Sequence, residues 1–92
     1  MYKKTVVVNN KSGLHARPGS VFVTEANKFA SKIKIRRLDE DEDEAVNAKS
    51  IAFVLSLGIA QGVEVELSAV GDDAQEAVDS LCALIESGLG DI

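Results

Sequence analysis

Tryptophan is absent, and the chain holds one cysteine, one proline, one histidine, one methionine, one tyrosine and three phenylalanines. A single cysteine cannot close an internal disulfide, which excludes a cross-linked secreted scaffold and points to a reducing compartment. No apolar run approaches the ~20 residues needed to span a bilayer. The segment from Met1 to Asn10 turns polar too soon to act as a secretory signal. Cations are outnumbered, with ten Lys and Arg against fifteen Asp and Glu for a net charge of −5. A general nucleic-acid binder needs clustered Lys and Arg to neutralise phosphates, so that class is disfavoured. Repeats and Pro/Gly/Ser-rich linkers are missing, so residues 1–92 read as one domain. A domain of this size buries somewhat over ~60% of its unfolded surface, which suffices for a modest core but not for a deep enclosed cleft. These absences describe a cytoplasmic carrier or binding module without a cofactor, a membrane-inserted segment or a nucleic-acid partner.

With 46% hydrophobic and 27% charged residues, the composition is that of a globular domain. Lys4 to Asn9 contains the β-branched run Thr5–Val8 and predicts a strand. Asn10 to Gly13 is turn chemistry. From Ala16 to about Phe29, Pro18, Phe22, Ala26 and Phe29 recur at helical spacing, with Pro18 tolerated in the first turn. Lys32 to Arg36 alternates as a half-buried strand. The six consecutive carboxylates Asp39–Glu44 repel one another and predict a solvated tip. A short strand over Ala45–Asn47 follows. Ser50 to Leu57 predicts a short helix with Ser50 as N-cap and Gly58 just past its end. Val63 to Ala69 is the clearest alternation. Asp73 and Glu76 form a variant capping box. The last helix places Ala74, Ala77, Val78, Leu81, Leu84 and Ile85 on one face, and Gly88 ends it. The order β-α-β-β-α-β-α predicts an α+β open-faced sandwich, an antiparallel sheet with its helices on one face.

His15 is the most informative residue. It stands in Gly13-Leu14-His15-Ala16-Arg17-Pro18, between a turn and a helix start. A lone histidine in an arbitrary sequence is most often an exposed loop residue or a makeshift cap. Three local facts weigh against that here. A helix N-terminus offers unpaired N–H groups and positive potential. Arg17 adds a fork-shaped cation suited to phosphate. Gly13 and Pro18 restrict the backbone on either side. The arrangement suits a histidine that accepts a phosphoryl group. With no second histidine and no carboxylates at ligand spacing, a metal site is not expected.

That segment resembles the active-site signature of HPr, the histidine-containing phosphocarrier of the bacterial phosphoenolpyruvate-dependent sugar phosphotransferase system (PTS). Val46-Asn47-Ala48-Lys49-Ser50-Ile51 resembles the family's regulatory serine region, and Leu57-Gly58 and Gly62 also fit. The likeness runs from Lys4 to Gly90. It implies a four-stranded antiparallel sheet covered on one face by three helices. It implies phosphorylation of His15 on ring Nδ1 by phospho-enzyme I, and transfer to enzyme IIA domains of sugar permeases. Arg17 and the amides of Ala16 and Arg17 would hold the phosphoryl oxygens. Ser50 would be phosphorylated by HPr kinase/phosphorylase, and Ser20, Lys49, Ile51, Ala52 and Leu55 would form the partner-docking patch. The implied protein is a stoichiometric carrier, a monomer, and not an enzyme. A regulatory or nitrogen-branch paralogue shares the same signature.

The chain departs from the family pattern at Ala52, where Met or Phe is usual, with Phe53 following. The acidic run stands where typical members have a short turn. Three other features invite competing functions. Cys82 falls on or beside the apolar face of the last helix, which predicts an inert buried thiol. Arg36 and Arg37 end a strand and read as a solvated edge. Asp79-Ser80-Leu81 resembles the prosthetic-group site of acyl carrier proteins, but those are all-helical and carry the serine at the start of a mid-chain helix.

Overall fold

The computed structural model describes residues 1–90. Four strands, β1 (Tyr2–Val7), β2 (Lys32–Arg37), β3 (Val46–Asn47) and β4 (Glu64–Val70), form one sheet in the order β1-β4-β2-β3. Every pairing is antiparallel. Three helices, α1 (Ala16–Ala26), α2 (Ile51–Ser56) and α3 (Ala74–Glu86), cover one face. The predicted α+β open-faced sandwich is the observed fold.

Alternation explains the layering. Val6 on β1, Ile33 and Ile35 on β2, and Val65, Leu67 and Ala69 on β4 point to the helices and are buried. Phe22 of α1 and Val78, Leu81 and Ile85 of α3 close over them. α3 packs on β1 and β4, and α1 packs against α2 and α3. The intervening strand residues Lys3, Thr5, Glu64, Glu66, Lys32, Lys34 and Arg36 face away from the helices. There the register sets Thr5 and Arg36 on either side of Glu66. Arg36 Nε donates to Glu66 Oε1 at 3.0 Å.

Local boundaries differ from expectation for identifiable reasons. β1 stops at Val7, although Val8 N–H still donates to the Val63 carbonyl at 2.9 Å. α1 ends at Ala26 and not near Phe29 because the Asn27 amide turns back to cap it, donating to Val23 O at 2.9 Å and reaching Lys49 O at 3.1 Å. The acidic run is exposed as expected, but it is not a free tip. It contains a 3-10 turn over Glu42–Glu44, Lys3 Nζ lies 3.8 Å from Glu42, and Arg36 Nη1 donates to the Glu40 carbonyl at 2.7 Å. Arg36 and Arg37 are not a solvated edge. β2 is an inner strand, and both guanidiniums are partnered.

Asp73 corrects the expected capping box. It occupies the N-cap of α3 but makes no side-chain cap hydrogen bond. Its carboxylate instead accepts from Ala30 N–H at 2.9 Å, from Ser31 N–H at 3.0 Å and from the Ser31 hydroxyl. It therefore ties the turn before β2 to the start of α3. The Ser31 hydroxyl and the Ala30 and Ser31 amides hold this carboxyl below its usual range. A depressed folded value stabilises the ionised, folded form. That contribution is complete above the ordinary carboxylate value of about 4 and is lost as pH falls through the lower folded value. Asp73→Ala should lower the urea midpoint at pH 7, and the gap to wild type should shrink as pH falls below about 4. Urea titrations at pH 7 and pH 3 check this.

Candidate functional site

The site begins with a backbone approach that only glycine permits. Gly13 has φ +62, and a Cβ there would stand 2.2 Å from the Ile59 carbonyl oxygen. The next residue, Leu14, donates its N–H to that same carbonyl at 3.0 Å and buries its side chain. The Asn10 amide holds the Gly13 carbonyl at 2.8 Å. The chain thus enters α1 from a loop bolted to the segment before β4.

His15 is the N-cap of α1, in an extended conformation (φ −101, ψ 160). Its side chain makes no capping bond, and the residue is exposed. A helix start leaves four N–H positions without an intrahelical acceptor. Here the His15 N–H donates to Ser12 O at 3.3 Å, and Pro18 has no N–H. The two that remain belong to Ala16 and Arg17. Ala16 has φ +52, a left-handed conformation that a residue with a Cβ adopts at a cost of about 1–2 kcal/mol. That turn separates the His15 backbone from the helix proper. Arg17 is exposed, and among the described residues it forms no ion pair. An exposed imidazole, two open amides and a free guanidinium therefore share one helix end, a place where a dianionic group is electrostatically favoured.

The second predicted segment comes to the same end of the molecule. Gly19 lies in the first turns of α1, and a Cβ there would meet the Leu14 carbonyl at 2.6 Å and Ile51 Cδ1 at 3.5 Å. This close packing sets Ile51, the first residue of α2, beside the helix that carries His15. Ile51, Phe53 and Leu55 are exposed at 39%, 54% and 40%, while Val54 of the same helix is fully buried. Ala52 and Ser20 are exposed too. Phe53 thus adds an aromatic ring to the surface beside Ala52. Ser50 is the N-cap of α2, its hydroxyl accepting from Phe53 N–H at 3.4 Å. Lys49 stands apart from this group. Its ammonium donates to the Phe29 carbonyl at 2.5 Å, beyond the far end of α1. Motif matching had no means of finding that direction, since it depends on where Asn27 stops the helix.

The competing sites fall away. Ser80 Oγ donates to Glu25 Oε2 at 2.7 Å, between α3 and α1, and Leu81 is fully buried in a sheet-containing fold. Cys82 is buried, and desolvation pushes its thiol pKa up. Among the described residues no group of three or more His, Cys, Asp or Glu is placed to hold a metal ion. No described helix is long and apolar enough to cross a membrane.

The family pattern "PTS HPr component phosphorylation site" matches residues 2–87. The chain belongs to the HPr family of phosphocarrier proteins. The crystal structure of HPr from Thermoanaerobacter tengcongensis superposes with a TM-score of 0.89 at 48% identity, covering 100% of this chain and 99% of that one. The HPr-like protein Crh of Halalkalibacterium halodurans is 46% identical over 94% of this chain and 98% of its own length. The multiphosphoryl transfer protein of Haemophilus influenzae is 39% identical over 92% of this chain, which spans 17% of the length of that relative. HPr-type domains therefore resemble this chain both as short proteins and as segments of long ones.

The Gly13 contact yields a direct prediction. Gly13→Ala should destabilise the protein by roughly 2 kcal/mol or more, because the new methyl meets a backbone oxygen at a left-handed position. Chemical denaturation of the two proteins checks this.

Proposed function

We propose that this chain is a stoichiometric phosphoryl relay of the sugar PTS, cycling between free and His15-phosphorylated forms. The observation that carries the reading is the exposed His15 at a helix end where, among the described residues, the Ala16 and Arg17 amides stay open. An unprotonated Nδ1 attacks phosphorus, the bond between the phosphoryl group and phospho-enzyme I breaks, and a phosphohistidine forms. The Ala16 and Arg17 amides and the Arg17 guanidinium then neutralise the phosphoryl oxygens. In the second half-reaction an enzyme IIA nucleophile takes the group and the ring is restored. Residues 1–92 act as one monomeric cytoplasmic domain. No cofactor is required, because the phosphoryl donor brings the bond energy with it.

Ser20, Ile51, Ala52 and Leu55 form the shared docking patch in this reading, with Phe53 as an aromatic addition. Lys49, whose ammonium is held by the Phe29 carbonyl beyond the far end of α1, lies outside that patch. Ser50 is the regulatory position. A phosphate there gains from the α2 N-terminus but sets two negative charges beside Ile51 and Ala52, which weakens partner binding. The similarity to Crh supports a second reading, a regulatory paralogue whose principal output passes through phospho-Ser50.

Phosphoenolpyruvate and enzyme I should place acid-labile phosphate on the wild type and none on His15→Ala. Arg17→Ala should retain the label but slow its acquisition about tenfold or more, as expected for losing a charge-assisted contact to the transferring group. Wild type that stays unlabelled by an active enzyme I from the same cell rejects the relay. ATP and HPr kinase/phosphorylase should place acid-stable phosphate on the wild type but not on Ser50→Ala. Intact-mass spectrometry before and after acid treatment reads both labels.

A further inference from the structure

α2 is six residues long, and Val54 is the one residue in it that is buried. Isolated helices this short are unstable in water, so beyond the buried Val54 and the packing of Ile51 beside Gly19, the orientation of its exposed Ile51, Phe53 and Leu55 depends on contacts at its ends. The N-terminal contact, Ser50 Oγ to Phe53 N–H, is long at 3.4 Å. The C-terminal end is held differently. Gly58 has φ +62 and turns the chain back, leaving the Leu57 and Gly58 carbonyls beyond the last helical bonds. Arg37 Nη1 donates to both, at 3.2 Å and 3.1 Å.

The other edge of the same guanidinium is fixed by Asp39. Nε donates to Oδ1 at 3.0 Å and Nη2 to Oδ2 at 2.9 Å, a bidentate pair. Arg37 is itself the last residue of β2, paired with Val65 of β4 on an inner strand. The Arg37 side chain is 25% exposed against 64% for Asp39. A cation anchored in the sheet thus holds the end of a helix, and the first carboxylate of the acidic run fixes that cation's plane.

We infer that Arg37 is the positioning residue of the docking surface and that Asp39 aligns it for that task. The inference rests on the relay reading for what docks there. Arg37 touches neither His15 nor the phosphoryl group. Its effect is on how α2 is presented, and so on the encounter with a protein partner and not on the transfer step. The acidic run acquires a role through Asp39, since its charge next to Arg37 keeps the fork turned toward α2.

The test uses the full chain as the varied substrate of enzyme I, alongside amide hydrogen exchange on the same samples. Arg37→Ala should raise KM about tenfold with kcat within about twofold, the low end of what losing one charge-assisted hydrogen bond costs. Arg37→Lys, which keeps the charge and one donor direction, should recover part of that loss. Asp39→Asn should fall between wild type and Arg37→Ala. Amides of residues 54–58 should exchange about tenfold faster in Arg37→Ala while those of β4 are unchanged. An unchanged KM, a loss confined to kcat, or unaltered exchange in α2 overturns the inference. If Arg37→Ala does not fold, Asp39→Asn carries the same comparison. If wild type accepts no phosphoryl group, the relay reading fails, and the exchange data still decide whether Arg37 holds α2.

Discussion

The meeting of Gly13 and Leu14 with the Ile59 carbonyl is the contact on which the working end of the molecule depends. It brings the loop after β1 against the segment before β4, with a backbone hydrogen bond of 3.0 Å and no room for a Cβ at Gly13. Everything about His15 follows from where this contact leaves the chain. Leu14 drops into the core, so the next residue must emerge at the surface. Ala16 then takes the left-handed turn that starts α1, and Gly19 allows the first turns to ride on the Leu14 carbonyl and beside Ile51. Three backbone approaches, none involving a charged side chain, thereby assemble a charged site.

The same economy governs the surface around it. In the proposed reading a relay must meet its partners one after another, so its contact surface has to be small and separable. α2 has a single buried side chain, Val54, and exposes Ile51, Ala52, Phe53 and Leu55. The large burial lies elsewhere, between the sheet and α1 and α3. In the proposed reading, stability and recognition are carried by different helices.

Much of this was legible in the chain. Period-two alternation in 32–36 and 63–69 located the inner strands within one residue. The apolar spacing of Ala77, Val78, Leu81 and Ile85 identified the covering face of α3, and all four are buried. The six-residue signature around His15 marked the candidate site because the five residues beside the histidine each answer a local requirement: a turn, a core anchor, an open amide, a cation and a helix start. What escaped were contacts between segments distant in sequence. Asp73 carries every local mark of a cap, yet it satisfies Ala30 and Ser31, 43 and 42 residues away. Asn27 ends α1 by a side-chain bond that periodicity does not encode. Arg37 looked like a solvated strand end because its acceptors, the Leu57 and Gly58 carbonyls, are set by tertiary packing. The direction of Lys49 followed from the early stop of α1 and was equally out of reach.

Residues 1–37 carry nine Lys and Arg with one Glu, a charge of +8, and residues 38–92 carry −13. Folding does not preserve that division. The strand order places β4, with Glu64 and Glu66, between β1 and β2, with their lysines and arginines. Lys4 reaches Asp79, Lys3 reaches Glu42 and Arg36 reaches Glu66. Charges of opposite sign one strand apart largely cancel beyond a few strand spacings of about 4.8 Å. At long range the molecule is simply an anion, and the positive potential at Arg17 is a near-field property confined to about one Debye length, ~8 Å at physiological salt. A free phosphate in bulk solvent is therefore not drawn in from a distance. In the proposed reading, a phosphoryl group has to be brought to His15 by a carrier already in contact.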